Sequence, residues 1–489
     1  MKRKNVEIKF GTDGWRGIIA KDFTFENVRM VTQAVADYLK KKVSDFQKVV
    51  VGYDTRFLSD KFAMAVARVL CGNGIKVILS SCALSSPALS YSVVNEMNEM
   101  NEKAGLGIMI TASHNPPNFN GLKIKTEFGA SADKAITEEI EHYLFRNKPK
   151  DSNGKIEVKD LIPAYFKKVK SLVNMELLRN ARLKIIYDPM FGVGSGLLPG
   201  ILKNTKCKMF SIHSNPDPLF GGINPEPIKK NLKDLIKEVV KKKADIGIAT
   251  DGDADRIGLV DDTGRYLTPH QVFPLILSYL TEVKGLKGKV VQTISLGYLG
   301  ERIAHQYGLS FQEVPVGFKY VACLMQTHNV LIGGEESGGF GYKGYIPERD
   351  GILSLLFFLE MIAKKKKKLS CILNELEQKF GKSYYDRVDI KINQSVKVLK
   401  CQGIKEKINS VIIKKVPKRI AGMKVREIRT YDGMKFILGS SNIIGGEAWL
   451  LLRPSGTEPL VRIYAEANSP VKVREMLKAG KQMIGRRQA

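Results

Sequence analysis

The sequence predicts an α/β protein built of three similar mixed α/β domains followed by a smaller α+β domain. Three observations carry this. The 489 residues exceed what one hydrophobic core usually organises, and a chain of this length divides into roughly three or four domains. As far as about Lys382, helical and strand periodicities alternate, the pattern of sheets whose strands are joined by crossover helices. Beyond that point strand-like runs follow one another and only one clear helix remains, at the end.

In the first unit, Phe25, Val28, Val31, Val35 and Leu39 recur at helical spacing, and the β-branched run Lys48–Tyr53 follows as a strand. A helix over about Asp60–Leu70, a strand at Ile75–Leu79 and an apolar strand at Leu106–Ile110 continue the alternation, the last running into Thr111-Ala-Ser-His-Asn-Pro-Pro117. The second unit has strands at Leu183–Tyr187 and Asp245–Ala249, and the third at Lys289–Ile294 and Val330–Ile332. The smaller domain has strands at Arg387–Ile392, Met434–Leu438, Ala448–Leu452 and Leu460–Ala465. The polar stretch Asn147–Lys159 reads as a linker, and the domains are expected at 1–155, 156–268, 269–382 and 383–489.

Hydrophobic residues at 44% and charged residues at 26% exclude a disordered chain. The longest apolar stretch, Ile352–Ala363, contains Glu360 and falls short of the roughly 20 residues that span a bilayer. The basic N-terminus has no apolar segment behind it, so no secretory signal is expected. Six cysteines without a CxxC pair argue against a disulfide framework or structural zinc and for a reducing cytoplasm. A net charge of +28 raises nucleic-acid binding, but Lys241–Lys243 and Lys364–Lys368 lack interleaved aromatics and read as solvated helix ends.

Four polar, glycine-containing segments follow predicted strands: Thr111–Pro116, Asp251–Arg256, Gly333–Gly339 and Arg453–Pro459. Loops after strand C-terminal ends are where open α/β sheets bind ligands, so a cleft lined by all four would be a four-sided site. Asp251, Asp253 and Asp255 alternate, and in an extended loop that spacing turns three carboxylates to one side, a donor set suited to Mg²⁺. A calcium EF-hand loop would need Gly where Arg256 stands, which leaves an acidic turn in water as the alternative. Ser113 offers a hydroxyl in a proline-closed loop; alone, such a serine is more often a turn former than a nucleophile. Arg453-Pro-Ser-Gly-Thr-Glu-Pro459, with Arg462 beyond, joins a guanidinium, two hydroxyls and glycine-freed amides, which suits either phosphate binding or a capped turn.

Taken in order, Phe10-Gly-Thr-Asp-Gly-Trp-Arg-Gly17, Thr111–Pro116, Asn120-Gly-Leu-Lys123, Asp251–Arg256, Gly334-Glu-Glu-Ser-Gly-Gly339, Pro347-Glu-Arg-Asp-Gly351 and Arg453–Pro459 resemble the α-D-phosphohexomutases, nearly end to end. The resemblance implies four domains and exchange of phosphate between the 1 and 6 positions of a hexose through a phosphoserine at Ser113. It also implies one Mg²⁺ per site on Asp251, Asp253, Asp255 and that phosphate. Glu335 and Ser337 would touch the sugar, with Arg453, Ser455, Gly456, Thr457 and Arg462 clamping the distal phosphate. Arg16, Lys123 and Arg256 would surround the transferred group, Arg349 would bind substrate, and His114 would join the catalytic set.

Lys123 is expected as the base, because an amine near Mg²⁺ and arginines has its pKa lowered from about 10.4. Some family members end the sugar loop with His, where this chain has Gly339. Glucose is favoured over mannose, with glucose 1,6-bisphosphate as activator and intermediate, in a monomer or dimer. Glu336, where amino-sugar branches usually carry Gln, makes phosphoglucosamine mutase the alternative. Rivals of another class are a non-catalytic scaffold and a nucleic-acid binder on the same fold.

Overall fold

The computed structural model describes residues 8–485 apart from 44–47, 101–103, 153, 155, 392–416, 441 and 456–459. The chain forms two compact units. One comprises Met1–Leu267, Gly317–His328 and Gly338–Ser370; the other comprises Thr268–Val316, Asn329–Ser337 and Cys371–Ala489.

The first unit holds two mixed sheets. In the first sheet the strands lie in the order Trp15–Ile18, Phe119–Thr126, Ala104–Ile110, Lys48–Tyr53, Lys76–Ser80, Ile156–Lys159. The last four run parallel, while Phe119–Thr126 is antiparallel to both of its neighbours. The helix Phe25–Lys42 buries Val28, Val31, Val35 and Leu39 as its periodicity predicts; Thr24 caps it, accepting from the Asn27 N–H, and Lys40–Lys42 complement its C-terminal dipole. It shares a core with Phe62, Val66 and Leu70 of the helix Ser59–Gly72 and with the strand residues Val49 and Val51.

The expected linker is not one throughout: its last residues, Ile156–Lys159, are the edge strand of this sheet, paired with Lys76–Ser80. The second sheet orders Tyr266–Leu267, Ile257–Asp261, Ile246–Thr250, Lys184–Asp188 and Lys208–Ser211, antiparallel up to Ile246–Thr250 and parallel beyond it. Leu235 and Val239 of the helix Lys233–Lys242 pack on it.

In the second unit, Phe311–Val314, Lys289–Thr293 and Val330–Gly334 pair in parallel. The C-terminal sheet is antiparallel from Tyr384–Lys391 through Leu460–Ala467, Ala448–Pro454 and Met434–Leu438 to Met423–Arg429 and Arg419–Ile420. The helix Pro470–Gly485 covers one face, with Val473, Met476 and Leu477 in the core. The sheets bear out three mixed α/β regions followed by an α+β one. No described helix is long and apolar enough to cross a membrane, the helix Gly351–Lys365 included.

Candidate active site

Strand Ala104–Ile110 delivers the Ser113 loop at its C-terminal end, where Thr111 N–H still bonds the Gly121 carbonyl. Ser113 then turns into the left-handed region at φ 52°, unusual for a residue with a Cβ. Its N–H donates to Thr111 Oγ1 at 2.9 Å, and its hydroxyl, fully buried, donates to Asp251 Oδ2 at 2.8 Å. His114 Nδ1 lies 3.2 Å from the same hydroxyl. Burial, reinforced by Arg256 and Arg16, holds the His114 pKa well below the ordinary imidazole value, so the ring is neutral.

Asp251–Arg256 is not the extended loop that its alternating carboxylates suggest. It is a tight turn between antiparallel strands, with Ala254 at φ 57° and Asp251 Oδ1 accepting from the N–H groups of Asp255 (3.0 Å) and Arg256 (3.1 Å). The carboxylates converge all the same: one oxygen from each of Asp251, Asp253 and Asp255 lies within 4.8 Å of the others, all three side chains buried. Asp253 Oδ2 accepts from Ser86 Oγ at 2.6 Å and from Lys123 Nζ at 2.8 Å; Asp255 Oδ2 pairs with Arg349 Nη2 at 2.6 Å.

Oδ1 of Asp253 and Oδ1 of Asp255 are buried with no hydrogen-bond donor. Burial and the neighbouring Asp255 and Asp253 charges push the Asp251 pKa well above the usual carboxylate range. Unsatisfied hard oxygens that repel one another fit a divalent cation with carboxylate and water ligands.

Cations ring this cluster. Lys123, on strand Phe119–Thr126, reaches Asp13 and Asp253 at 2.8 Å and Asp255 at 3.5 Å. The expectation of a lowered Lys123 pKa is not met: burial lowers it, but Asp13, Asp253 and Asp255 outweigh burial and raise it. Lys123 is thus a buried cation paired with three carboxylates. Arg16 donates through Nη1 to Asn115 Oδ1 at 2.6 Å, Arg256 Nε stands 3.7 Å from Asp255 Oδ1, and Arg349 Nη2 also pairs with Asp13 at 3.0 Å. A side chain at Gly339 would meet Arg349 Cδ at 2.3 Å, so the arginine fills the space that a histidine there would need.

The remaining candidates belong to the second unit. Glu335 and Ser337 end the segment after strand Val330–Gly334, both largely shielded, and Ser337 Oγ is buried without a hydrogen-bond partner. Glu336 accepts from Ser295 Oγ at 2.6 Å. Arg453 Nε pairs with Asp432 at 2.9 Å, and the same carboxylate oxygen accepts from Val316 N–H at 2.8 Å. Ser455 N–H bonds the Leu460 carbonyl, and Arg462 lies 3.8 Å from Asp389. Gly456 and Thr457 lie outside the described residues. Sequence reasoning missed Asp13, Ser86, Asp54 and Arg56, whose partners are distant in the chain; only Asp13 sat within a quoted motif.

A buried serine hydroxyl on a three-carboxylate cluster, set among arginines and a lysine, is an arrangement suited to phosphoryl transfer. The domain models for phosphoglucomutase/phosphomannomutase match in order: alpha/beta/alpha domain I over residues 7–151, domain II over 163–264, domain III over 268–380 and the C-terminal domain over 408–479. The chain belongs to this phosphoglucomutase/phosphomannomutase family of the α-D-phosphohexomutase superfamily and is an enzyme.

It is 33% identical to the phosphoglucomutase/phosphomannomutase of Thermococcus kodakarensis over 97% of this chain and 98% of the relative. It is 32% identical to the phosphoglucosamine/phosphogalactosamine mutase of Sulfurisphaera tokodaii, covering 94% and 95%. A solved structure from Thermus thermophilus, assigned as a phosphomannomutase, superposes with a TM-score of 0.83 at 34% identity, covering 98% of this chain and 99% of that one.

Proposed function

We propose that the enzyme interconverts hexose 1-phosphate and hexose 6-phosphate, glucose ahead of mannose, through phosphorylated Ser113 and a 1,6-bisphosphate intermediate. The observation that carries this reading is the 2.8 Å approach of Ser113 Oγ to Asp251, beside two buried carboxylate oxygens that no donor satisfies. Mg²⁺ held by Asp251, Asp253 and Asp255 would supply Lewis-acid stabilisation of the phosphoryl oxygens. Arg16, Lys123 and Arg256 add fixed positive charge, stabilising the negative charge that spreads over a phosphoryl group in transfer. His114, neutral and 3.2 Å away, accepts the Ser113 proton when the serine takes phosphate back from the bisphosphate.

Glu335 and Ser337 bind sugar hydroxyls, and Arg453, Ser455, Gly456, Thr457 and Arg462 hold the distal phosphate. Arg349, engaged with Asp13 and Asp255, orients the metal-side carboxylate as it meets substrate. Glucose 1,6-bisphosphate primes Ser113. We assign the enzyme to the cytoplasm, as a monomer or dimer; the described cysteines, Cys71, Cys82, Cys207, Cys323 and Cys371, are all free.

Relatives named for amino-sugar phosphates keep phosphoglucosamine as the second reading, and Glu336 favours glucose over it. Coupled assays with the 1-phosphates of glucose, mannose and glucosamine, with Mg²⁺ and a trace of glucose 1,6-bisphosphate, rank the three. Intact-mass and peptide analysis should find one phosphate, on Ser113. If Ser113→Ala keeps more than about a tenth of the wild-type kcat/KM, less than one decade of transition-state stabilisation, the phosphoserine reading is refuted.

A further inference from the structure

Beneath the Ser113 loop sits a buried ion pair that none of the recognised motifs contains. Arg56 Nη2 donates to the carbonyls of Ser113 at 2.6 Å and Asn115 at 2.7 Å, and Nη1 donates to those of Pro116 and Phe119, both at 2.9 Å. One guanidinium thus closes on four carbonyl oxygens of a single loop. Asp54 works on the other side of the same residue. Its Oδ2 accepts from Thr111 Oγ1 at 2.6 Å, and that oxygen in turn accepts from Ser113 N–H at 2.9 Å.

The two residues bind each other, Arg56 Nε lying 3.3 Å from Asp54 Oδ2, with both side chains fully buried. Ser59 Oγ and Arg56 N–H satisfy Asp54 Oδ1, and the Phe220 ring lies 4.8 Å from the guanidinium carbon.

Both peptide groups flanking the Ser113 Cα are therefore fixed, the N–H through Thr111 and Asp54, the carbonyl by Arg56. This residue is also held at φ 52°, a conformation that persists in a non-glycine residue only when its surroundings over-determine it. The Ser113 carbonyl has a second neighbour: a Cβ on Gly252 of the carboxylate turn would stand 2.6 Å from it. Ser113 O thus lies where the nucleophile loop and the carboxylate turn approach closely.

We propose that Asp54 and Arg56 are positioning residues for the mutase reaction, locking Ser113 in its left-handed conformation with Oγ directed at the Asp251 carboxylate. This rests on the reading of Ser113 as the phosphate carrier. Neither residue touches the reacting atoms. Their loss lets the loop relax toward ordinary backbone angles and swings Oγ away from the carboxylates, while groups that bind the sugar and distal phosphate stay as they were. The damage falls on kcat and spares KM.

The test compares Arg56→Lys and Asp54→Asn with wild type and with Ser113→Ala, measuring thermal unfolding, kcat, KM and the rate at which glucose 1,6-bisphosphate loads phosphate on Ser113. A lysine keeps the charge but carries three donors on one nitrogen and cannot fork over four carbonyls. Since a misplacement of about 1 Å costs roughly 100-fold, Arg56→Lys should lose about two decades in kcat and in loading rate, with KM within about threefold. Asp54→Asn should lose about tenfold in both through the weakened Thr111 bond.

Folded variants with kcat and loading within about threefold of wild type overturn the proposal, as does a KM that rises as far as kcat falls. Should Arg56→Lys not fold, Asp54→Asn, of native shape and with Arg56 in place, decides by the same criteria. An active Ser113→Ala, by contrast, refutes the phosphoserine reading itself.

Discussion

Removing the Lys123 charge is the most direct probe of the electrostatics at the carboxylate cluster. The ammonium is buried, 2.8 Å from both Asp13 and Asp253 and 3.5 Å from Asp255. Lys123→Met keeps the length and removes the charge, leaving buried carboxylates facing one another. Deleting one partner of a buried ion pair costs about 3–5 kcal/mol. For a large folded body, each kcal/mol lowers Tm by about 2 °C, so the metal-free variant should melt about 6–10 °C below wild type.

Mg²⁺ should narrow that gap. A ligand at a hundred times its Kd stabilises by about 2.7 kcal/mol, and a dication entering a cluster without the competing ammonium binds more tightly, so the variant gains more than wild type. Calorimetry in EDTA and in excess Mg²⁺ measures both quantities. An unchanged Tm in EDTA, or an equal Mg²⁺ shift in the two proteins, refutes the picture of Lys123 as the fixed counter-charge.

Three further outcomes are expected. Asp253→Asn should sharply raise the Mg²⁺ concentration needed for half-maximal activity, because a hard dication loses one of three charged oxygens; wild-type activity that survives EDTA removes the metal assignment. Arg453→Ala should raise KM for hexose 1-phosphate and hexose 6-phosphate together by about one to two decades, the value of a charge-assisted phosphate contact, while Glu335→Gln should alter preference among sugars; an unchanged KM in both directions rules out the clamp. His213 gives the pH dependence. Its hydrogen bond to Asp188 at 3.1 Å raises its pKa against partial burial, with Asp234 the other carboxylate facing the ring. A raised folded pKa contributes stability that is complete below the unfolded value of about 6.5 and is lost as pH rises through the folded pKa, so the Tm difference between wild type and His213→Gln should be largest in acid and shrink above neutrality. A difference that grows with pH contradicts it.

What the sequence disclosed depended on how local each interaction is. Lys48–Tyr53, Ile246–Thr250 and Met434–Leu438 are apolar or β-branched runs buried along their length, and a run of that kind is visible without its neighbours. Phe119–Thr126 begins with Phe-Asn-Gly, whose Asn-Gly pair reads as turn chemistry, and its strand character comes from two antiparallel partners. The aspartate triad was legible because its spacing lies within six residues, but its turn was not, since Ala254 at positive φ has no signature. The lowered Lys123 pKa expected from Mg²⁺ and arginines leaves out Asp13, which folding brings from 110 positions away and which acts to raise it. Arg56 is the extreme case: its acceptors are backbone carbonyls, which any sequence carries.

The charges at the site also constrain how metal and phosphate can be loaded. Asp13, Asp251, Asp253, Asp255 and Glu348 stand among Arg16, Lys123, Lys125, Arg256 and Arg349, five carboxylates against five cations. Even if Asp251, whose pKa is raised, holds a proton, the cluster is within one charge of neutrality without any ligand. A dication alone adds two positive charges to a buried volume, and a phosphoserine alone adds about two negative ones. Each is costly where water cannot screen it, and the two together cancel. Metal affinity should therefore rise when Ser113 is phosphorylated and fall when the phosphate leaves, and by linkage the phosphate is held more firmly with the metal present. A site balanced in this way needs its nucleophile in one place relative to the carboxylates in every state. The grip of Arg56 on four carbonyls supplies that constancy through the backbone, without using any group the reaction consumes.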